Sequence, residues 1–191
     1  MSKIPVVLSF LLCSCSCPSG PIVQVGVTDE AFLVEGEKNL RPGALPFSIV
    51  PDWTVHDSGL VPDIVERWHG WLDTEQGVVA DGDMAQVILS IGYVPVASEE
   101  ETILGISHIR FAEDGTILGG EIVLSSDYDY PAGRELLVQA GCHEVGHAVF
   151  ALADDPGPPT TVDLRSIMSD PLDPLGRLTA ADLDRLEPYL P

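Results

Sequence analysis

Apolar and polar positions change their period along this chain, and the changes mark out its elements. Phe47-Ser48-Ile49-Val50 reads as a strand stopped by Pro51, with Trp53-Thr54-Val55 continuing it at a sheet edge. Ile64, Val65, Trp68, Trp71 and Leu72 then recur at helical spacing. Val61-Pro62-Asp63 opens that helix, with an acidic residue suited to the positive end of the helix dipole. Strand-like runs follow over 86–94, 103–111 and 117–124, the last two joined by the turn residues Glu113-Asp114-Gly115. Residues 134–152 hold no Pro, and no Gly except Gly141 and Gly146. Their apolar positions Leu136, Leu137, Ala140, Val145, Ala148, Val149 and Leu152 predict a largely buried helix. Asp154-Asp155-Pro156-Gly157-Pro158-Pro159 halts it, and residues 178–186 close the chain as a short helix capped by Thr179. The order predicts an α+β domain with a mixed sheet.

Length supports one such domain: 191 residues suffice for a proper core and fall short of two. A composition that is 45% hydrophobic and 20% charged is that of a folded chain, not a disordered one. Charge narrows the partners. Nine Lys and Arg against 30 Asp and Glu leave a net charge of −21, a field that repels phosphate backbones, so nucleic acid is excluded as a partner. The acidity fits a soluble chain, and a monomer is expected.

The N-terminus has a separate logic. Lys3 precedes an apolar run over residues 4–12, too short to span a bilayer, and then Cys13, Cys15 and Cys17 among serines. A basic start, an apolar stretch and small residues form an export signal over residues 1–15. Leu12-Cys13-Ser14-Cys15 also resembles a bacterial lipobox, which implies a membrane tether through acylated Cys15. Residues 16–44, rich in Gly, Pro and acids, read as a tether, and 45–191 as the domain. Export places the protein in the cell envelope or outside the cell. Cys142, inside the apolar helix, reads as a small buried filler.

The chemistry concentrates in His143-Glu144-Val145-Gly146-His147. On a helix, residues four apart differ by about 40° in direction, so both imidazoles can reach one cation. Zn²⁺ accepts such nitrogens and, in catalytic sites, keeps an open position for water. Glu144 projects beside the pair, where a carboxylate can take a proton from that water. Two histidines and a glutamate are costly to bury in an apolar helix without such a role.

From His143 to Gly157 the sequence resembles the metzincin metallopeptidases, in particular bacterial matrixin-like members, whose pattern is H-E-x-x-H-x-x-G-x-x-H or D. Ser166-Ile167-Met168 resembles their Met-turn, and residues 178–186 resemble their closing helix. The likeness runs from Leu45 to the C-terminus, with its sharp motifs between Cys142 and Met168. It implies a zincin domain and a zinc-dependent endopeptidase with Glu144 as general base. It also implies a protein or peptide substrate laid along a sheet edge supplied by 103–111 or 117–124.

Two positions depart from the family. Phe150 stands where it has glycine, and Ala153 where it has the third ligand; Asp154 comes one place late. Asp154 is the expected third ligand, with Asp155 the alternative, because a residue before Pro156 is biased out of the helix. A straight helix would carry Asp154 about 10 Å beyond His147, so the assignment requires a turn near residues 151–153. Without that turn the chain reads as a non-catalytic, surface-tethered binding protein on a degenerate scaffold. A zinc peptidase of another clan would draw its third ligand from Asp163 or Glu187. Met168 is expected to pack beneath the site, and His108 to line the cleft. His56 and His69 are expected at or near the surface, and Trp53, Trp68 and Trp71 as core or interface anchors. Glu113-Asp114-Gly115 is expected to be a turn that needs no calcium.

Overall fold

The structure is a computed structural model that describes residues 11–17, 40–72, 77–80, 86–94, 102–112, 114–126, 133–154, 166–168 and 176–190. Six strands form one sheet: β1 (Leu11–Cys17), β2 (Phe47–Pro51), β3 (Val78–Ala80), β4 (Gln86–Gly92), β5 (Thr102–Phe111) and β6 (Ile117–Ser125). The helices are α1 (Leu60–Leu72), α2 (Arg134–Phe150) and α3 (Ala180–Leu186), the last followed by a 3₁₀ turn over Glu187–Tyr189. Strand order is β1-β5-β6-β4-β2-β3. The β3, β2, β4 and β6 strands run parallel to their neighbours, while β5 is antiparallel to β6 and β1 antiparallel to β5. The domain is therefore α+β with a mixed sheet. No helix among the described residues is long and apolar enough to cross a membrane.

Alternation in the strands decides which face the helices cover. Val87, Leu89, Ile122 and Leu124 are buried and share a core with Ile64 and Trp68 of α1 and Leu137, Val145 and Val149 of α2. The alternate positions Ile88 and Glu121 are exposed. Every residue of α2 from Leu137 to Phe150 is buried, as the apolar pattern around its histidines predicts. Arg134, at the start of α2, ties it to α1 by an ion pair with Asp63 and a hydrogen bond to the Ser58 carbonyl. At the other end, the Phe150 ring lies 4.5 Å from that of Trp68.

Three expectations change. Trp53-Thr54-Val55 does not continue the first strand at an edge: β2 lies between β3 and β4, and residues 53–58 form turns. The Asp52 carboxylate accepts the Thr54 N–H (2.7 Å), and the Thr54 hydroxyl accepts the Ile91 N–H (2.8 Å), a local side-chain alternative to strand pairing. Trp53 is not in the core, since that turn leaves it 87% exposed, whereas Trp68 is wholly buried and Trp71 packs at the edge of the core. A third strand partner, β3, was not expected.

β1 arises from the segment read as the apolar run and cysteine cluster of an export signal. It lies against β5 in a register from Leu11↔Ile109 to Cys17↔Thr102, with an irregularity at Cys15/Ser16. The β6 strand is interior, so of the two segments expected to offer a substrate edge only β5 qualifies, and β1 covers it here.

The closing helix does more than end the chain. Thr179 caps α3 in a reciprocal box with Asp182, whose buried Oδ2 accepts from the Thr179 N–H (2.9 Å), the Thr179 hydroxyl (2.8 Å) and the Ser166 hydroxyl (2.8 Å). Ser166 in turn accepts the Met168 N–H at 2.9 Å. Asp182 therefore holds the turn at residues 166–168 against α3. Asp182→Ala strands these donors, and urea denaturation of the metal-free chain should show a loss of about 1–3 kcal/mol.

Candidate metal centre

α2 carries His143 and His147 on one face, both essentially without solvent exposure. Their rings meet edge to face with centroids 4.7 Å apart. Each is oriented by a backbone carbonyl: His143 Nδ1 donates to Ile167 O (2.8 Å) and His147 Nδ1 to Leu152 O (2.7 Å). A carbonyl oxygen brings no hydrogen, so each Nδ1 must carry the proton, and a neutral imidazole then presents a bare lone pair at Nε2. Those two Nε2 atoms face each other at 3.0 Å.

The third member arrives because the helix stops. Phe150 is the last helical residue, Ala151 takes the left-handed conformation at φ +55°, and the N–H groups of Ala151 and Leu152 both return to the Gly146 carbonyl. The chain reverses there, and Asp154 Oδ1 comes to lie 3.2 Å from His143 Nε2 and 3.3 Å from His147 Nε2. The glycine of the family pattern has thus moved one place along, and the turn is made by an alanine. An L-residue in that region carries a steric cost of about 1–2 kcal/mol, partly offset by glycine's greater chain entropy. Ala151→Gly should accordingly raise stability by up to about 1 kcal/mol in thermal unfolding with zinc content unchanged.

Two lone pairs and a carboxylate oxygen converging at about 3 Å repel one another unless a positive charge lies between them. The Asp154 Oδ1 atom is buried and has no hydrogen-bond donor, as this arrangement requires. The three separations describe a triangle small enough for one ion to sit about 2.0–2.2 Å from every corner, the zinc bond lengths for nitrogen and oxygen. The residues present therefore fit a divalent cation. Among the described residues, His143, His147 and Asp154 form the only such group of potential ligands. Burial alone would raise the Asp154 carboxyl; once the histidines gain protons at Nε2, the charge of His147 and hydrogen bonds from both rings hold it well below the usual carboxylate range.

Glu144, the residue after His143, is fully buried and its carboxylate reaches β5. Its Oε2 accepts the Ser107 hydroxyl at 2.5 Å. Burial pushes its carboxyl up, opposed by His143, His147 and the Ser107 hydrogen bond. Met168 packs against α2 between the two histidines: a Cβ added at Gly146 would stand 2.4 Å from its Sδ, so the thioether lies on bare helix backbone there.

Other singled-out residues fall outside this cluster. His108 alternates with the inward-facing Ser107 on β5 and is half-buried, so it is not among the ligands. His69 donates to Val78 O (2.7 Å), which joins α1 to β3, and His56 is exposed beside Asp57. Glu187 is exposed at the start of the 3₁₀ turn. Asp155 and Asp163 lie outside the described residues. Cys142 is wholly buried and its thiol is pushed up by burial, consistent with a packed side chain. Asp114 is bound by Arg41 and Thr116, a turn held by protein partners. Sequence reasoning missed Ser107, which a lone hydroxyl inside an apolar strand signals only weakly, and the Ile167 and Leu152 carbonyls, which have no side-chain signature.

Comparisons of the chain with protein families, with curated proteins and with solved structures returned no match.

Proposed function

We propose that this protein is an exported zinc-dependent endopeptidase with a metzincin-like zincin domain, in which α2 is the active-site helix and residues 166–168 the Met-turn. The observation that carries the reading is the convergence of two imidazole Nε2 atoms and Asp154 Oδ1 within 3.3 Å of one another, one helix position from a buried carboxylate. A structural zinc site closes its coordination with four protein ligands, whereas three leave a position for water and substrate. His143, His147 and Asp154 would hold the ion, which when bound polarises the scissile carbonyl and lowers the pKa of a water. Glu144 takes a proton from the attacking water and delivers it to the leaving amine, so the peptide bond breaks with its proton balance closed.

The substrate strand pairs with β5 by β-augmentation, the position β1 occupies in the uncleaved chain. Removal of an export signal ahead of Cys15 would take away Leu11 to Ser14 and open that edge, leaving the domain tethered by acylated Cys15 or free outside the cell. The reading as a non-catalytic binding protein rests on Phe150 and Ala153. The reversal at Ala151, which brings Asp154 Oδ1 to both histidines, supports the peptidase reading over it.

The test is zinc content and hydrolysis of an unfolded protein such as casein by the purified zinc-loaded chain. One zinc per chain and turnover that disappears in Glu144→Gln support the peptidase. A chain that retains no zinc after zinc-replete purification sinks it and leaves a tethered binding domain.

A further inference from the structure

The β5 strand makes a socket for Glu144. Gly105 and Ser107, two residues apart and so on one face, both meet its side chain. A Cβ added at Gly105 would stand 3.0 Å from Glu144 Cγ and 3.4 Å from Oε1, so the carboxylate fills the space a side chain would need. Ser107 is wholly buried, and its Oγ lies 2.5 Å from Oε2 and 3.1 Å from the Glu144 carbonyl. A hydroxyl has one hydrogen, and the nearer, charged acceptor takes it. The other carboxylate oxygen, Oε1, is buried and has no hydrogen-bond partner. The two oxygens are thus divided: one is anchored to the sheet, and the other makes no hydrogen bond.

We propose that Ser107 is a positioning residue for Glu144, tying down Oε2 and leaving Oε1 as the oxygen that accepts the proton. The inference rests on the peptidase reading above. A side chain restrained at one oxygen can present the other to a water or an acidic ligand without first losing rotamer freedom. Gly105 contributes by absence, since any larger residue would push the carboxylate from the socket.

The test uses the full chain loaded with Co²⁺, whose visible absorption reports on its ligands, and titrates acetohydroxamic acid, which gives up a proton on chelating a divalent ion. Glu144→Gln, which cannot accept that proton, sets the floor. Ser107→Ala should bind the probe about 10- to 100-fold more weakly, the range carried by a hydrogen bond to a charged group. Its cobalt band before addition should match that of wild type. Ser107→Thr, which keeps the hydroxyl, should restore binding. With zinc in place, kcat should fall in Ser107→Ala while KM holds, a split that a loosened core would not give. Normal cobalt uptake with Ser107→Ala titrating like wild type overturns the socket and leaves the peptidase reading standing. So does an equal loss in Ser107→Ala and Ser107→Thr. Failure of wild type to bind cobalt at all overturns the metal reading, and this proposal with it.

Discussion

Asp154→Ala is expected to lose tightly held zinc, while Asp155→Ala keeps it. Losing even an outer hydrogen-bond partner of a ligand costs roughly 10–100-fold in metal affinity, and removing a ligand should cost more. On the proposed reading the carboxylate would supply both the third donor and the only negative charge among the three candidate ligands, so a dication left with two neutral imidazoles would be under-coordinated and uncompensated. Asp154 reaches the site only because α2 ends at Phe150 and reverses at Ala151; on a continued helix it would lie about 10 Å beyond His147. Metal content after exhaustive exchange against a chelator, measured on wild type and both alanine variants, checks the assignment. Full zinc in Asp154→Ala would move the third ligand elsewhere, with Asp155 and Asp163 the next to replace. Acid should also strip the metal, because ligand nitrogens that gain protons cannot bind it. Asp154 itself, held well below the usual carboxylate range, stays ionised through most of that descent.

How far such a site can be read before a structure exists depends on the distance over which its causes act. The His143 and His147 pair is a local matter: four residues on a helix bring two rings to one side whatever the rest of the chain does. The apolar runs behind β4, β5, β6 and α2 are local too, and their expected bounds lie within a few residues of the observed ones. Asp154 sits at the limit. Counting showed it one place late, and Asp155-Pro156 showed that the helix must end nearby, but nothing in an alanine announces a left-handed residue. Beyond that limit the causes are tertiary. Ser107 meets Glu144 through the packing of β5 on α2, 37 residues away in sequence. The tautomers of both histidines are fixed by backbone carbonyls, and β3, at three residues, is too short to show a period. Trp53 is a core candidate by residue type, and one turn set by Asp52 and Thr54 brings it to solvent instead. The pairing of β1 with β5 joins segments about 90 residues apart, and no local pattern foretold it.

Glu144→Gln should abolish turnover and, in the metal-free chain, make the fold more stable. A positioned general base contributes about 10²–10⁴-fold to rate, so kcat should fall by that much while zinc content is unchanged, since Glu144 is not among the three ligands. The stability effect follows from burial. Glu144 is fully buried, and desolvation raises its carboxyl above the ordinary 4.5, against the pull of His143 and His147. A folded-state pKa above the unfolded one means the native chain holds this proton more tightly. The group therefore favours the fold below the ordinary value, and that contribution is lost as pH rises through the raised one. At pH 7 a buried carboxylate opposes folding, and a neutral amide of nearly the same shape does not. Thermal unfolding of metal-free wild type and Glu144→Gln, followed from pH 7 toward pH 4.5, should show the variant melting higher at pH 7 and the gap closing as acid neutralises the wild-type carboxyl. Relieving such functional strain commonly gains about 0.5–2 kcal/mol. A gap that stayed constant with pH would mean the charge of Glu144 is not what burial penalises. A bound dication should shrink the gap as well, because positive charge beside the carboxylate opposes the desolvation cost. On the proposed reading, the buried base would be tolerable chiefly in the metal-bound form, which would tie the stability of this helix to occupancy of the candidate site.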